Sequence, residues 1–217
     1  MTPEGIAAKV AYGYGKSGSK LGPVHTLYRP TSPLTPALAP QNVMTPQLQF
    51  IASATPDVKF TRPAHYNEPL RFGLYDTTQT QVGDYIDGPT GTFFVISQRP
   101  IEAPELVFCD VVISVTRAAG DAGAGVQPYG GRVTATDVLL VNQWPASMVL
   151  GGRAQSGQAD LPGDVRDKGV QALLPATMGV ILRTSDRVTD SQGRAFTISS
   201  AELSDLGWRL DLILSVT

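Results

Sequence analysis

Four aspartates flank glycine turns, Asp84 and Asp87 in "GDYIDGPTG" and Asp186 and Asp190 in "SDRVTDSQG". Carboxylates gathered at turns could hold a hard cation, but a calcium loop needs acids at alternating positions and a distal glutamate. Neither stretch has that pattern, so the aspartates read as turn formers whose side chains bond their own backbone. "GYGKSGS" carries the Gly-Lys-Ser of a phosphate loop, yet the glycine required five residues before Gly15-Lys16 is Val10, and the preceding residues read as helix. His25 and His65 are the only histidines and do not stand at metal-ligand spacing. Cys109 is the single cysteine; "LVFCDVV" reads as a buried strand in which it acts as a small hydrophobe. No nucleophile-elbow G-x-S-x-G occurs, and nothing signals a paired-carboxylate site. The chain is therefore expected to be non-enzymatic, with no cofactor and no metal.

Composition narrows the partners. Charged residues make up 17% of the 217, against about 25% in an average soluble domain. A surface so thin in charge is expected to meet protein. The net charge of −2 gives no basic footprint for nucleic acid. No apolar run is long enough to span a membrane, and the first residues lack the continuous apolar core of a signal peptide. The expectation is a protein made in the cytosol that engages neither nucleic acid nor membrane.

The elements that must position any contacts follow from the order of the chain. Thr2-Pro3-Glu4 is a helix start, and Ile6, Val10 and Tyr14 recur at i, i+4 spacing, predicting a helix to about Ser17. Three glycines weaken it, so it should need a partner surface. Six prolines fall between Pro23 and Pro46, with no charge from Pro30 to Pro56. That density excludes helix and central strand and predicts an extended arm carrying Leu34, Leu38, Val43, Met44, Leu48 and Phe50. The arm is either a strap over its own domain or a limb laid on a neighbour. The remainder is β-rich, including "LRFGLYD", "ELVFCDVVISVT", "GVILRTSD" and "GWRLDLILSVT". The Ala/Gly-rich stretch 117–131 is the best domain boundary.

An internal repeat organises these strands. Asp84–Ser97 aligns with Asp186–Ser199 without a gap, sharing Asp84/Asp186, Gly91/Gly193, Phe94/Phe196, Ile96/Ile198 and Ser97/Ser199. "DVVISVT" (110–116) matches "DLILSVT" (211–217), which makes both copies end on the same strand. In this alignment Phe93 and Val95 replace Ala195 and Thr197, so the first copy is apolar on both faces and something must cover it. The fold expected is mainly β: two tandem small β-barrel or sandwich units with an N-terminal helix and an extended proline-rich arm. Its boundaries are 1–45 for helix and arm, 46–117 for the first β domain, 118–131 for the linker and 132–217 for the second. Removing 1–45 should leave a folded β core. Candidate partner contacts are Tyr12, Tyr14, Tyr28, Arg29, Leu34, Leu38, Phe93, Val95 and Trp144, since aromatics and arginine anchor interfaces.

The stretches "AYGYGKSGSKLGPVHTLYRP", "VGDYIDGPTGTFFVISQRP", "WPASMVLGGR", "LPGDVRDKGVQALLP" and "DSQGRAFTISSAELSDLGWRL" together resemble tailed-bacteriophage structural proteins. Among these the chain is similar to the ripcord-type baseplate proteins of contractile tails. The resemblance implies a virion protein that bridges tail tube and hub to the surrounding baseplate. Its partners would be tube, hub, wedge or sheath-initiator proteins, with multiple copies in a ring. Head–tail joining at the neck and a tail-borne receptor- or cell-wall-binding module are the alternatives; a wall hydrolase has no signal in the residues.

Overall fold

The computed structural model describes residues 2–53, 68–118, 137–150 and 169–215. Helix α1 (Pro3–Leu21) starts where expected, with the Thr2 hydroxyl accepting the Gly5 N–H at 3.3 Å. It runs one turn past Ser17 and closes with Gly22 N–H donating to Gly18 O at 2.8 Å. The extra turn lies against the β sheet, and Gly18 makes that possible. A Cβ there would stand 2.6 Å from Leu74 O and 3.1 Å from Gln49 O.

Seven strands follow in a first sheet: β1 (Val24–Tyr28), β2 (Val43–Gln49), β3 (Ile51–Ser53), β4 (Leu70–Leu74), β5 (Tyr85–Gly88), β6 (Gly91–Ser97) and β7 (Glu105–Cys109). Their order is β2-β1-β5-β6-β7-β4-β3. The outermost strands β2 and β3 are one run interrupted only at Phe50, so the sheet curls until its two edges meet. Strand β8 (Val111–Arg117), β9 (Val138–Leu150), β10 (Val170–Leu174), β11 (Arg187–Asp190), β12 (Ala195–Ser204) and β13 (Gly207–Leu214) form a closed barrel in the order β10-β13-β12-β11-β8-β9. With β2 and β3 taken as one, the two circuits are identical: β1 corresponds to β8, β2/β3 to β9, β4 to β10, and β5, β6, β7 to β11, β12, β13. Even the irregularities recur. Ladder shifts fall between His25 and Leu27 and between Ile113 and Val115, and again between Val95 and Ser97 and between Ile198 and Ser200. The mainly β, duplicated architecture is thus present, but its boundaries differ from those the sequence suggested.

Three expectations are corrected. Val24–Tyr28, inside the proline-rich arm, is an interior strand flanked by β2 and β5, because no proline falls within it. Pro46 lies in β2, whose second edge has no ladder partner and so tolerates a missing N–H. Excising 1–45 would therefore remove a strand of the first barrel. Second, the segment "DVVISVT" opens the second barrel as β8 rather than closing the first. The change of barrel occurs at Asp110, and β8 and β9, which flank 119–136, pair with each other. The proposed linker 118–131, outside the described residues beyond Ala118, thus joins neighbours within one barrel. Third, "GVILRTSD" is irregular rather than a strand; its polar groups serve an ion pair described below, and Leu182 packs into the core.

The repeat itself is real but one residue out of step. Tyr85 pairs with Phe94, whereas Arg187 pairs with Thr197, because the second hairpin turn is one residue longer. The first turn places Gly91 at φ 113°, the second Gly193 at φ 80°, both in the left-handed region. One extra residue exchanges the two faces of everything that follows. By hydrogen-bond position Phe93 and Val95 correspond to Phe196 and Ile198, the barrel interior. The residues that make the first copy apolar on both faces are Phe94 and Ile96, standing where the second has Thr197 and Ser199.

Two clusters result. Leu27, Leu48, Phe50, Tyr75, Ile86, Phe93, Val95 and Leu106 fill the first barrel. The second core contains the interior of the second barrel together with Tyr85, Phe94, Ile96, Val107 and Cys109 from the outside of the first. The barrels are therefore fused: the wall of one closes the other.

Candidate interaction surfaces

The contacts proposed from sequence divide by burial. On α1, Tyr12 is 70% exposed and Tyr14 half-buried. In the arm, Leu34 is 54% exposed, while Tyr28 and Leu38 pack against the shared core. Phe93, Val95 and Trp144 are buried within the chain. These three are corrected from candidate partner contacts to internal packing, because each lies on an inward face of its barrel. Phe93 meets Phe50 at 5.2 Å and Phe108 at 5.4 Å between ring centroids.

Trp144 marks the junction of the barrels. The Tyr85 ring stands edge-on to it at 5.9 Å, and the Tyr85 hydroxyl donates to Pro145 O at 2.8 Å. Trp144 Nε1–H donates to Thr35 O at 3.0 Å. Asn142 N–H reaches Pro33 O at 2.8 Å, and Ala37, fully buried, donates its N–H to Gln143 O. Residues 33–37 thus strap the chain's own β9, the first of the two roles open to the arm.

Arg29 is also turned inward. Its Nε and a terminal nitrogen donate to the two carboxylate oxygens of Asp84 at 2.8 and 2.7 Å. In the second barrel Arg117 grips Asp186 in the same way at 2.7 and 2.8 Å. Each aspartate also accepts a backbone N–H from three residues earlier, Gln81 or Arg183, at 2.9 and 2.8 Å. Each arginine reaches one carbonyl more, Gln79 O or Ile181 O. Hydrogen bonding to the carboxylate raises both guanidinium pKa values further. Bidentate pairing of this kind fixes geometry as well as charge: the clasp holds the end of β1 or β8 to the loop that enters β5 or β11. The sequence reading identified the aspartates as turn formers but missed their arginines. The two arginines lie 88 residues apart and the aspartates 102, so no gapless alignment brings both into register.

Asp190 follows the turn-forming reading directly, with Oδ1 accepting Gln192 and Arg194 N–H at 3.0 and 2.8 Å. His25 is buried between barrel and hairpin tip. Its Nδ1 lies 3.0 Å from Pro23 O and its Nε2 2.7 Å from Thr90 Oγ1. Desolvation lowers its pKa, opposed by the Pro23 carbonyl and by Asp87. Burial pushes the Cys109 thiol well up, with Asp110 and Asp87 adding to the shift. His65 lies outside the described residues. Among the described residues no group of His, Cys, Asp and Glu is arranged to hold a metal ion, and no helix is long and apolar enough to cross a membrane.

Two grooves flank the docked end of α1. One, about 460 Å³, is lined by Leu21, Pro23, Phe50, Arg71, Phe93 and Phe108. The other, about 610 Å³, lies between Ala8, Ala11 and Gly15 of the helix and Gln47, Gln49 and Asp76 of the barrel. Both are open clefts beside the helix. Fold and surface together define a fused double-barrel β protein with a projecting helix. No protein-family model, curated protein or solved structure matches the chain.

Proposed function

We propose that the chain is a non-enzymatic structural component of a contractile phage tail baseplate, bridging the tail tube or hub to surrounding baseplate proteins in the manner of a ripcord protein. The observation that carries this reading is the fusion of the two barrels through one apolar core, which makes a rigid spacer. From that spacer α1 projects with Ile6 and Tyr12 exposed. A stiff body with a protruding, weakly seated helix suits a subunit held among several neighbours; the phage assignment comes from the sequence resemblance. The partners on this reading are tube, hub, wedge or sheath-initiator proteins, with several copies in a ring in the virion.

A particle reconstruction, or immunogold labelling of intact particles, tests it. Density or label at the tail end is the expected result, and label at the head–tail neck would replace the proposal with a joining role. Deleting residues 2–14, which spares every strand and the docked turn at Gly18, should yield folded protein that no longer enters particles. Normal incorporation would remove α1 from the contact.

A further inference from the structure

Among the described residues every lysine lies on α1: Lys9, Lys16 and Lys20, all exposed. The rest of the described chain carries its positive charge on arginine, and five of those arginines are held in ion pairs. The three lysines have no ion-pair partner among the described residues. Lys16 reaches the rim of the larger groove, but the Asp76 carboxylate there already accepts the Thr78 N–H, the Thr78 hydroxyl and the Gln79 side-chain amide. At about 100° per residue, the lysines fall within about 40° of one another on a line about 16 Å long, opposite the docked Gly18.

A helix face that only meets water interleaves the two signs, so that pairs four residues apart support the helix. This face has no acid. Glu4, the one acid on α1, sits in the first turn, where the dipole favours it. The dipole likewise accounts for Lys20 in the last turn, but not for Lys9 or Lys16, and Lys16 and Lys20, four apart, repel each other. Gly13 lies on the same face, and a Cβ there would meet nothing within 4 Å, so packing inside the chain does not require a glycine. On the side turned away from the barrel, α1 therefore gives up helix stability that nothing within the chain returns. Tyr12, 70% exposed, borders the stripe with the Lys16 ammonium 6.0 Å from its ring centroid.

We propose that this outward face of α1 docks on an acidic surface of a different protein, its lysines set against a row of carboxylates. Gly13 admits that surface close to the helix backbone, and Tyr12 supplies the aromatic anchor. With three lysines and one glutamate α1 carries +2 in a chain of −2, which leaves −4 on the remainder. That remainder repels a phosphate backbone, and three lysines without an arginine make a small footprint for one. An interfacial membrane helix needs its apolar side free to enter lipid, whereas on α1 the free side is the charged one. A second copy fits less well, since five of its described carboxylates are held by its own arginines. Lysine's mobile point charge suits attraction and orientation of a partner more than a fixed bidentate grip. The inference rests on α1 being the docking element of the reading above and names the chemistry of what it meets.

Carbodiimide joins a lysine amine to a carboxylate without a spacer. Applied to the cells that naturally make the chain and to purified particles, with mass spectrometry of the products, it should link Lys9, Lys16 or Lys20 to aspartate or glutamate of another protein. A triple variant, Lys9→Gln with Lys16→Gln and Lys20→Gln, should melt no lower than wild type yet no longer co-purify with the protein so identified. The matching triple Lys→Arg variant should retain it. Links confined to the chain itself or to a second copy, or lysines left unlinked, would overturn the proposal. So would a wild-type chain that binds phosphatidylglycerol–phosphatidylcholine vesicles or a DNA duplex at physiological salt when the glutamine variant does not. Absence of the chain from particles would end the virion reading, while the links formed in cells would still decide this one.

Discussion

The first barrel presents Tyr85 where the second presents Arg187, and Phe94 where the second presents Thr197. Same circuit, same bulges and same Arg–Asp clasp surround both positions, so backbone geometry does not account for the difference. What separates them is what each wall faces. The first meets Trp144, Pro145 and the strap, and the second, among the described residues, closes no barrel and leaves Ile213 and Leu139 exposed. In a duplicated fold the interior positions are held by the barrel itself, and the outer row records the neighbour.

Exchanging the two rows at a single position breaks the comparison most sharply. Tyr85→Arg places a charge in the shared core without a partner and removes the bond to Pro145, at a cost of about 4 kcal/mol or more. Arg187→Tyr, at its counterpart, should shift stability by no more than about 0.5 kcal/mol. Urea unfolding followed by tryptophan fluorescence measures both, and equal effects would refute the assignment of the two walls.

The clasps should behave alike. Arg29→Ala and Arg117→Ala each strand a carboxylate that is 1% or 2% exposed, at about 3 kcal/mol apiece. Pairing Arg29→Met with Asp84→Leu, or Arg117→Met with Asp186→Leu, should recover most of the loss in a double-mutant cycle. Recovery in only one barrel would show that the two pairs are not equivalent.

At the barrel ends the asymmetry is smaller. Gly18→Ala drives a methyl group against Leu74 O, so α1 should lift at about 1–3 kcal/mol, the range of an overpacked contact. Hydrogen exchange should then show faster exchange in α1 with β8 to β13 unchanged. Faster exchange in both barrels would mean that the helix supports the whole molecule.

The smallest effect expected is that of pH. The folded pKa of His25 lies below its ordinary value, so below about pH 6.5 the unfolded chain binds the proton first and stability falls as pH drops. The loss is complete once pH passes below the folded value and cannot exceed about 1.4 kcal/mol per pH unit. A His25→Asn variant, compared with wild type between pH 7 and pH 5, should lack this slope; Ile113 occupies the matching place in the second barrel, which has no such titration.

Local chemistry was legible from the residues alone. The helix start at Thr2-Pro3, the hairpin glycines Gly91 and Gly193, the aspartate turns, the buried setting of Cys109 and the fact of duplication all depend on short-range geometry that neighbouring residues determine. Identical letters, however, drew Phe94 onto Phe196 when the hydrogen bonds match Phe93 to it. They likewise drew β8 onto β13, when β8 is the counterpart of β1.

The first of these errors has a local cause. A strand's side chains alternate with a period of two, so one residue more in the Asp190–Arg194 turn exchanges inside and outside, and a string of letters carries no mark of it. Which face of "TFFVIS" was filled by its own barrel, and which by the next, depended on ladder position and on a second barrel docking at Trp144. The order of residues specified two β units and the glycines on which their hairpins turn. That they share a core and that the arm straps β9 follows from packing in three dimensions, because both outcomes depend on contacts between residues 60 to more than 100 positions apart.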